Sequence, residues 1–64
     1  MVNSELLKKT RKQKGFSIRD MSKFLGAKSS ATYYNIENNK SEAKSGQLKI
    51  ISKKLKLPLQ KILI

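Results

Sequence analysis

The chain has 64 residues, with 15 Lys or Arg against four Asp or Glu, and the resulting net charge of +11 attracts polyanions, which points to nucleic acid or an anionic membrane as partner. It contains no cysteine and no histidine, so disulfides, thiolate or imidazole zinc sites and Ser-His-Asp triads are excluded. The four carboxylates, Glu5, Asp20, Glu37 and Glu42, are scattered and leave little for acid–base or magnesium chemistry, so no catalytic residue, cofactor, metal or small-molecule substrate is expected.

The first helix is predicted over Glu5 to about Lys14, with Ser4 as its N-cap. Glu5 in the first turn and Lys12 and Lys14 in the last agree with the helix dipole. Leu7 and Thr10 or Arg11 share a face with Lys14, a narrow apolar stripe that must lean on other helices. Gly15 ends the helix. Phe16 then stands before a second N-cap, where it can staple against the next helix.

That next helix runs from Ser17 to Leu25, with a capping serine at its start and Ile18, Met21, Ser22 and Leu25 on one face. Gly26 lies just past its end, where a left-handed residue closes a helix at little cost. A third helix begins near Ser29 or Ser30 and ends near Asn38. Tyr33 and Ile36 point inward, and Ser30, Ala31, Tyr34 and Asn35 point outward. A glycine turn between two helices, the second with a small, uncharged polar face, suits the DNA major groove.

Asn38 to Gly46, NNKSEAKSG, reads as a basic polar loop. The fourth helix, from about Ser45 to Lys56, repeats Leu48, Ile51, Ser52 and Leu55 on one face and carries Lys49, Lys53, Lys54 and Lys56 on the other. Pro58 stops it and can begin the last helix at its first turn, Leu59 to Leu63, with Leu59, Ile62 and Leu63 apolar. Five short helices and no strand pattern make an all-α bundle in one domain, residues 1–64. The hydrophobic content of 38% fits a folded domain rather than a basic tail. No apolar run approaches the ~18 residues of a membrane span, and no secretory leader is visible, so a cytoplasmic protein is expected.

Four ordered segments, LKKTRKQKG, FSIRDMSKFLG, TYYNIENNK and LKIISKKLKLPLQKIL, resemble the Cro and CI repressor type of helix-turn-helix protein from Leu7 to Leu63. The resemblance implies the compact five-helix fold of the lambda-repressor type and binding to double-stranded DNA. It also implies a pair between an arginine of helix 1 and a glutamate at the end of helix 3, here Arg11 and Glu37. The chain departs from the family at three places. Ile18 stands where Gln is common, Ser22 where Ala is common, and the turn GAKSSA is one residue longer, the extra residue lying between Ala27 and Ser30.

Side-chain chemistry on this frame assigns base contacts to Ser30, Ala31, Tyr34 and Asn35. Asn35 can pair bidentately with adenine, and Ala31 can meet a thymine methyl. Phosphate contacts fall to Ser17, Arg19, Lys28, Ser29, Thr32, Asn38, Lys40 and Lys44. Which of Lys28, Ser29 and Ser30 meets a base depends on where the helix starts. Repressors of this type commonly act as homodimers on inverted repeats. The candidate dimer surface is Leu57, Leu59, Ile62, Leu63 and Ile64; alternatively Leu59 and Ile62 close the core and leave Leu63 and Ile64 over. The expected function is a small Cro-like repressor of a phage or mobile element. One competing reading is an antitoxin of the same fold whose main partner is a toxin. The other is a basic amphipathic chain on anionic membrane or RNA, which Gly15, Gly26 and Pro58 oppose by breaking the chain into short helices.

Overall fold

A computed structural model describes residues 1–63, in which five helices pack around one core. Helix α1 spans Ser4–Gln13, α2 Ile18–Phe24, α3 Ala31–Glu37, α4 Ser45–Leu55 and α5 Leu59–Ile62. Every predicted helix is present, and the differences lie at the ends. Asn3, not Ser4, caps α1: its side-chain oxygen accepts from the Leu6 N–H at 3.2 Å, and Ser4 is the first helical residue. Ser17 caps α2 in a reciprocal box. The Asp20 N–H donates to Ser17 Oγ and the Ser17 N–H to Asp20 Oδ2, each at 3.0 Å. An aspartate thus does the work for which the capping box commonly uses Glu or Gln.

Gly15 and Gly26 follow α1 and α2 with φ of 76° and 74°, the left-handed conformation that suits glycine. Helix α4 stops one residue before its predicted end. Lys56 turns left-handed at φ 55°, and the Leu57 N–H returns to the Ser52 carbonyl at 3.0 Å. The break therefore precedes Pro58, which caps α5 from extended backbone instead of occupying its first turn.

The core consists of Val2, Leu7, Met21, Tyr33, Ile36, Ile51, Leu55 and Ile62, with Phe16, Ile18, Phe24, Leu25, Ala43, Leu48 and Leu57 packed against it. Each fully buried aliphatic side chain contributes about 1.5–3 kcal/mol by leaving water. Phe16 does staple α2, through an edge-to-face contact with Phe24 at 5.2 Å between ring centroids. Helix α2 packs mainly on α3, whereas α3 and α4 both pack on α1.

The periodicity of the helices gave no sign of how the termini meet. Val2 is buried and forms an antiparallel bridge with Leu63, and the Asn3 N–H donates to the Ile62 carbonyl at 2.6 Å. Asn39, left-handed at φ 58°, ties this junction to the end of α3. Its side-chain oxygen accepts from the Val2 N–H at 2.8 Å and its amide donates to the Val2 carbonyl at 3.0 Å.

The apolar C-terminal end is divided. Ile62 is wholly buried and Leu57 half-buried, but Leu59 is 38% and Leu63 42% exposed. Leu59 therefore does not close the core as the alternative reading expected: it shares the inward face with Ile62 at i, i+3 but stands at the first residue of α5, at the edge of the core. Ile64 lies outside the described residues.

Candidate nucleic-acid interface

Helices α2 and α3 are joined by a buried serine. Ser22 Oγ donates to the Ser30 carbonyl at 3.1 Å and accepts the Tyr33 N–H at 3.2 Å. The Tyr33 N–H belongs to the first turn of α3, where intrahelical partners are missing. Ser30 makes no side-chain cap, so Ser22 of the neighbouring helix satisfies that donor. The residue that stands in for the family's alanine is thus a hydrogen-bonded joint and not merely a match in size.

This joint decides the start of the third helix. It begins at Ala31, one or two residues later than predicted, and ends at Glu37. Ser29 Oγ accepts from the Ala31 N–H at 3.2 Å, so both serines lie in the turn. The longer GAKSSA segment is taken up before the helix, with the Ala27 N–H bonded to the Ser22 carbonyl at 3.0 Å.

The buried side of α3 is Tyr33, Ile36 and Glu37. Arg11 Nε donates to Glu37 Oε1 at 2.9 Å, with the Glu37 residue only 1% exposed. Arg11 Nη1 also donates to the Phe16 carbonyl at 2.9 Å, and the Tyr33 hydroxyl donates to Glu37 Oε1 at 3.1 Å. Burial first, then the charge and hydrogen bond of Glu37, push the Tyr33 phenol well above its ordinary range, so it stays a donor. The Glu37 carboxylate therefore fastens α3 to α1 and to its own preceding turn, and the Arg11 guanidinium that it holds fastens the turn before α2.

The opposite side of α3 is open. Ser30 and Ala31 are exposed, Tyr34 is 44% exposed and Asn35 half-buried. The i, i+3, i+4 spacing of Ala31, Tyr34 and Asn35 puts the three on one face. Lys40 joins them, its Nζ 5.2 Å from the Tyr34 ring centroid. Its backbone turns back at the end of α3, where the Lys40 and Ser41 N–H groups both donate to the Asn35 carbonyl.

A second grouping lies beside α2. Arg19, Lys23, Lys28, Ser29 and Ser30 surround a cleft of about 360 Å³, floored by Ser22 and Ala27. Lys23 was not among the predicted phosphate ligands, although it lies one turn after Arg19 on the same helix. Thr32 is half-buried in the first turn of α3, and Lys44 sits before α4, in neither grouping.

Two predicted phosphate ligands have other work. The Asn38 amide donates to the Tyr34 carbonyl at 2.8 Å and closes α3. Ser17 is bound to Asp20, whose carboxyl is held below its ordinary range, first by the Ser17 N–H and then by the Ser17 hydroxyl. That carboxylate puts negative charge at the start of α2, whereas the cleft lined by Arg19, Lys23 and Lys28 is positive.

No described helix is long and apolar enough to cross a membrane. A family model described as a helix-turn-helix domain matches residues 4–63. No curated protein and no solved structure matches the chain.

Proposed function

Because the chain belongs to the helix-turn-helix domain family, of the Cro/CI type and DNA-binding in character, we propose that it is a small sequence-specific repressor of a phage or mobile element. The observation that carries this reading is the asymmetry of α3. Its inner side is tied down by Glu37, Tyr33 and Ile36, and its outer side presents Ala31, Tyr34 and Asn35 beside Lys40. A rigidly seated helix with a free polar face is what base readout in the major groove requires.

In this mechanism α3 enters the major groove from its N-terminal end. Asn35 pairs with an adenine edge, Ala31 meets a thymine methyl, and Ser30 donates to or accepts from the neighbouring base. Tyr34 lies along the sugar–phosphate wall with Lys40 beside it. Arg19 and Lys28, with Ser29 and Thr32 at the edge of the groove, hold the backbone, and Lys44 adds charge from the start of α4. These groups set register and supply most of the salt-dependent affinity. Two copies, joined through exposed Leu59 and Leu63 with Leu57 beneath, read an inverted repeat whose half-sites lie about 34 Å apart.

Selection of bound sites from random duplex DNA tests the reading. An inverted repeat is expected. Salt-sensitive binding with no recovered motif sinks the repressor proposal. On the selected site, Asn35→Ala is expected to lose about 1–3 kcal/mol and to relax preference at one base pair. Equal weakening on all sequences would reassign Asn35 to the backbone.

A further inference from the structure

The cleft beside α2 gathers cations in an arrangement that folding does not favour. Arg19 is the second residue of α2, in the first turn, where the positive end of the helix dipole opposes a cation. Lys23 follows one turn later. Its last-turn position suits the dipole, but like charges at i, i+4 destabilise a helix. Lys28, from the turn after α2, is the third cation lining the same space of about 360 Å³. All three are exposed, no carboxylate lines the cleft, and the only ion pair among the described residues is Arg11–Glu37. Asp20, three residues before Lys23, is bound to Ser17, and Lys23 is the least of the influences on its carboxyl.

The cleft is also firmly built. The Ser22 carbonyl accepts the Ala27 N–H at 3.0 Å, and the Ser22 hydroxyl donates to the Ser30 carbonyl at 3.1 Å. One residue of α2 thus fastens both ends of the segment that carries Lys28 and Ser29. That segment holds the residue by which GAKSSA exceeds the turn usual in the family. The Ser29 hydroxyl accepts from the Ala31 N–H and keeps its own proton to donate, and the Ser30 side chain caps nothing. Cations and hydroxyls arriving from both α2 and the turn suit the several oxygens of a phosphate. Ser30 belongs both to the cleft and to the approach of α3, as the residue before Ala31. The cleft therefore lies at the leading end of the reading helix, beside the backbone that borders the major groove.

We propose that this cleft is a socket for one phosphate group, and that a backbone phosphate of the duplex met by α3 fills it, with Lys23 as a ligand alongside Arg19 and Lys28. The inference rests on the DNA-binding reading of α3 for the source of the phosphate, and it adds to that reading one ligand and one defined contact.

The test has two arms. In the first, phosphates of a duplex carrying the selected site are replaced one at a time by uncharged methylphosphonates, and wild type and Lys23→Gln are compared on each. Lys23→Gln is expected to lower the log–log salt slope by about 0.9 on every sequence. At one phosphate position in each half-site, the replacement weakens the wild type and Lys23→Gln then costs nothing further, as a shared contact requires. Lys23→Arg keeps the wild-type pattern. In the second arm, inorganic phosphate is titrated at constant ionic strength while the backbone amides of Ala27 to Ala31 are followed by NMR. Saturable shifts are expected in the wild type and not in R19Q/K23Q/K28Q, whose remaining amide spectrum reports that it is folded. A Lys23→Gln loss that adds equally to every substituted duplex overturns the backbone assignment. If phosphate still saturates the cleft, the source is then a free phosphorylated ligand. No such position together with no saturable shift overturns the socket itself. Wild-type protein that selects no site removes the reading of α3, and the phosphate arm still decides the cleft.

Discussion

The two ends of α3 are built differently. At its C-terminal end every residue is bonded to something distant or to the helix itself. Glu37 takes Arg11 and Tyr33, the Asn38 amide closes on the Tyr34 carbonyl, and Asn39 holds both polar groups of Val2. At its N-terminal end Ser30 caps nothing and Ala31 is exposed; the Ala31 N–H is held only by Ser29 within the turn, and the Tyr33 N–H from beneath by Ser22. The helix is clamped at the rear and from below, and its leading turn is left free. A reading helix needs that division, because its aim is set by the anchored end and its contacts are made by the open one.

The largest change to this arrangement comes from breaking the rear clamp. Glu37→Ala leaves Arg11 charged and buried, and a loss of about 3 kcal/mol is expected in urea denaturation. A melting shift no greater than that of an exposed Lys→Ala control would show that the ion pair does not anchor α3. Asn39→Ala comes next, at about 2 kcal/mol, since it removes two hydrogen bonds to Val2 and places a Cβ-bearing residue without Asn's local bonding at positive φ. Asn39→Gly keeps the conformation and isolates the bonds, at about 1 kcal/mol. Equal losses for the two variants would mean that the Val2 contact carries the whole effect.

At the leading end, Ser22→Ala restores the residue usual in the family and strands the Tyr33 N–H. A loss of about 1–2 kcal/mol by thermal melting is expected. A neutral or stabilising result would show that the joint is dispensable and that the start of α3 is set by packing alone. The smallest effect is that of pH on the α2 cap. The folded-state pKa of Asp20 is depressed, so its contribution is complete above the ordinary value of 3.8 and is lost as pH falls through the lowered folded value. Asp20→Asn is expected to flatten the acid limb of the melting temperature against pH, and an unchanged limb would assign it to other carboxylates.

The elements legible in advance were those written within a few residues of one another. Met21, Tyr33, Ile36, Ile51 and Leu55 follow helical spacing, and all are buried. Gly15 and Gly26 mark ends where only a left-handed residue fits well. Arg11 and Glu37 came from likeness to a family, since nothing local to either residue names the other. The outer face of α3 was readable as a face, but its first residue was not. Two consecutive serines, Ser29 and Ser30, are equally compatible with a helix start on local preference, and the helix begins after both, at Ala31.

The amino-acid sequence alone determined the charge, the absence of imidazole and thiol chemistry, the number of helices and the inward residues Met21, Tyr33, Ile36, Ile51 and Leu55 of α2 to α4. These follow from composition and from a 3.6-residue period that needs no knowledge of neighbours. Tertiary structure alone decided that α3 begins at Ala31, because the donor of its first turn is satisfied by Ser22 across the turn, eleven residues back from Tyr33. It likewise decided that Val2 is core and Asn39 its clasp, a bond between residues 37 positions apart. Such contacts exist only once the chain has closed on itself, and a period or a cap, which reaches four residues, cannot announce them.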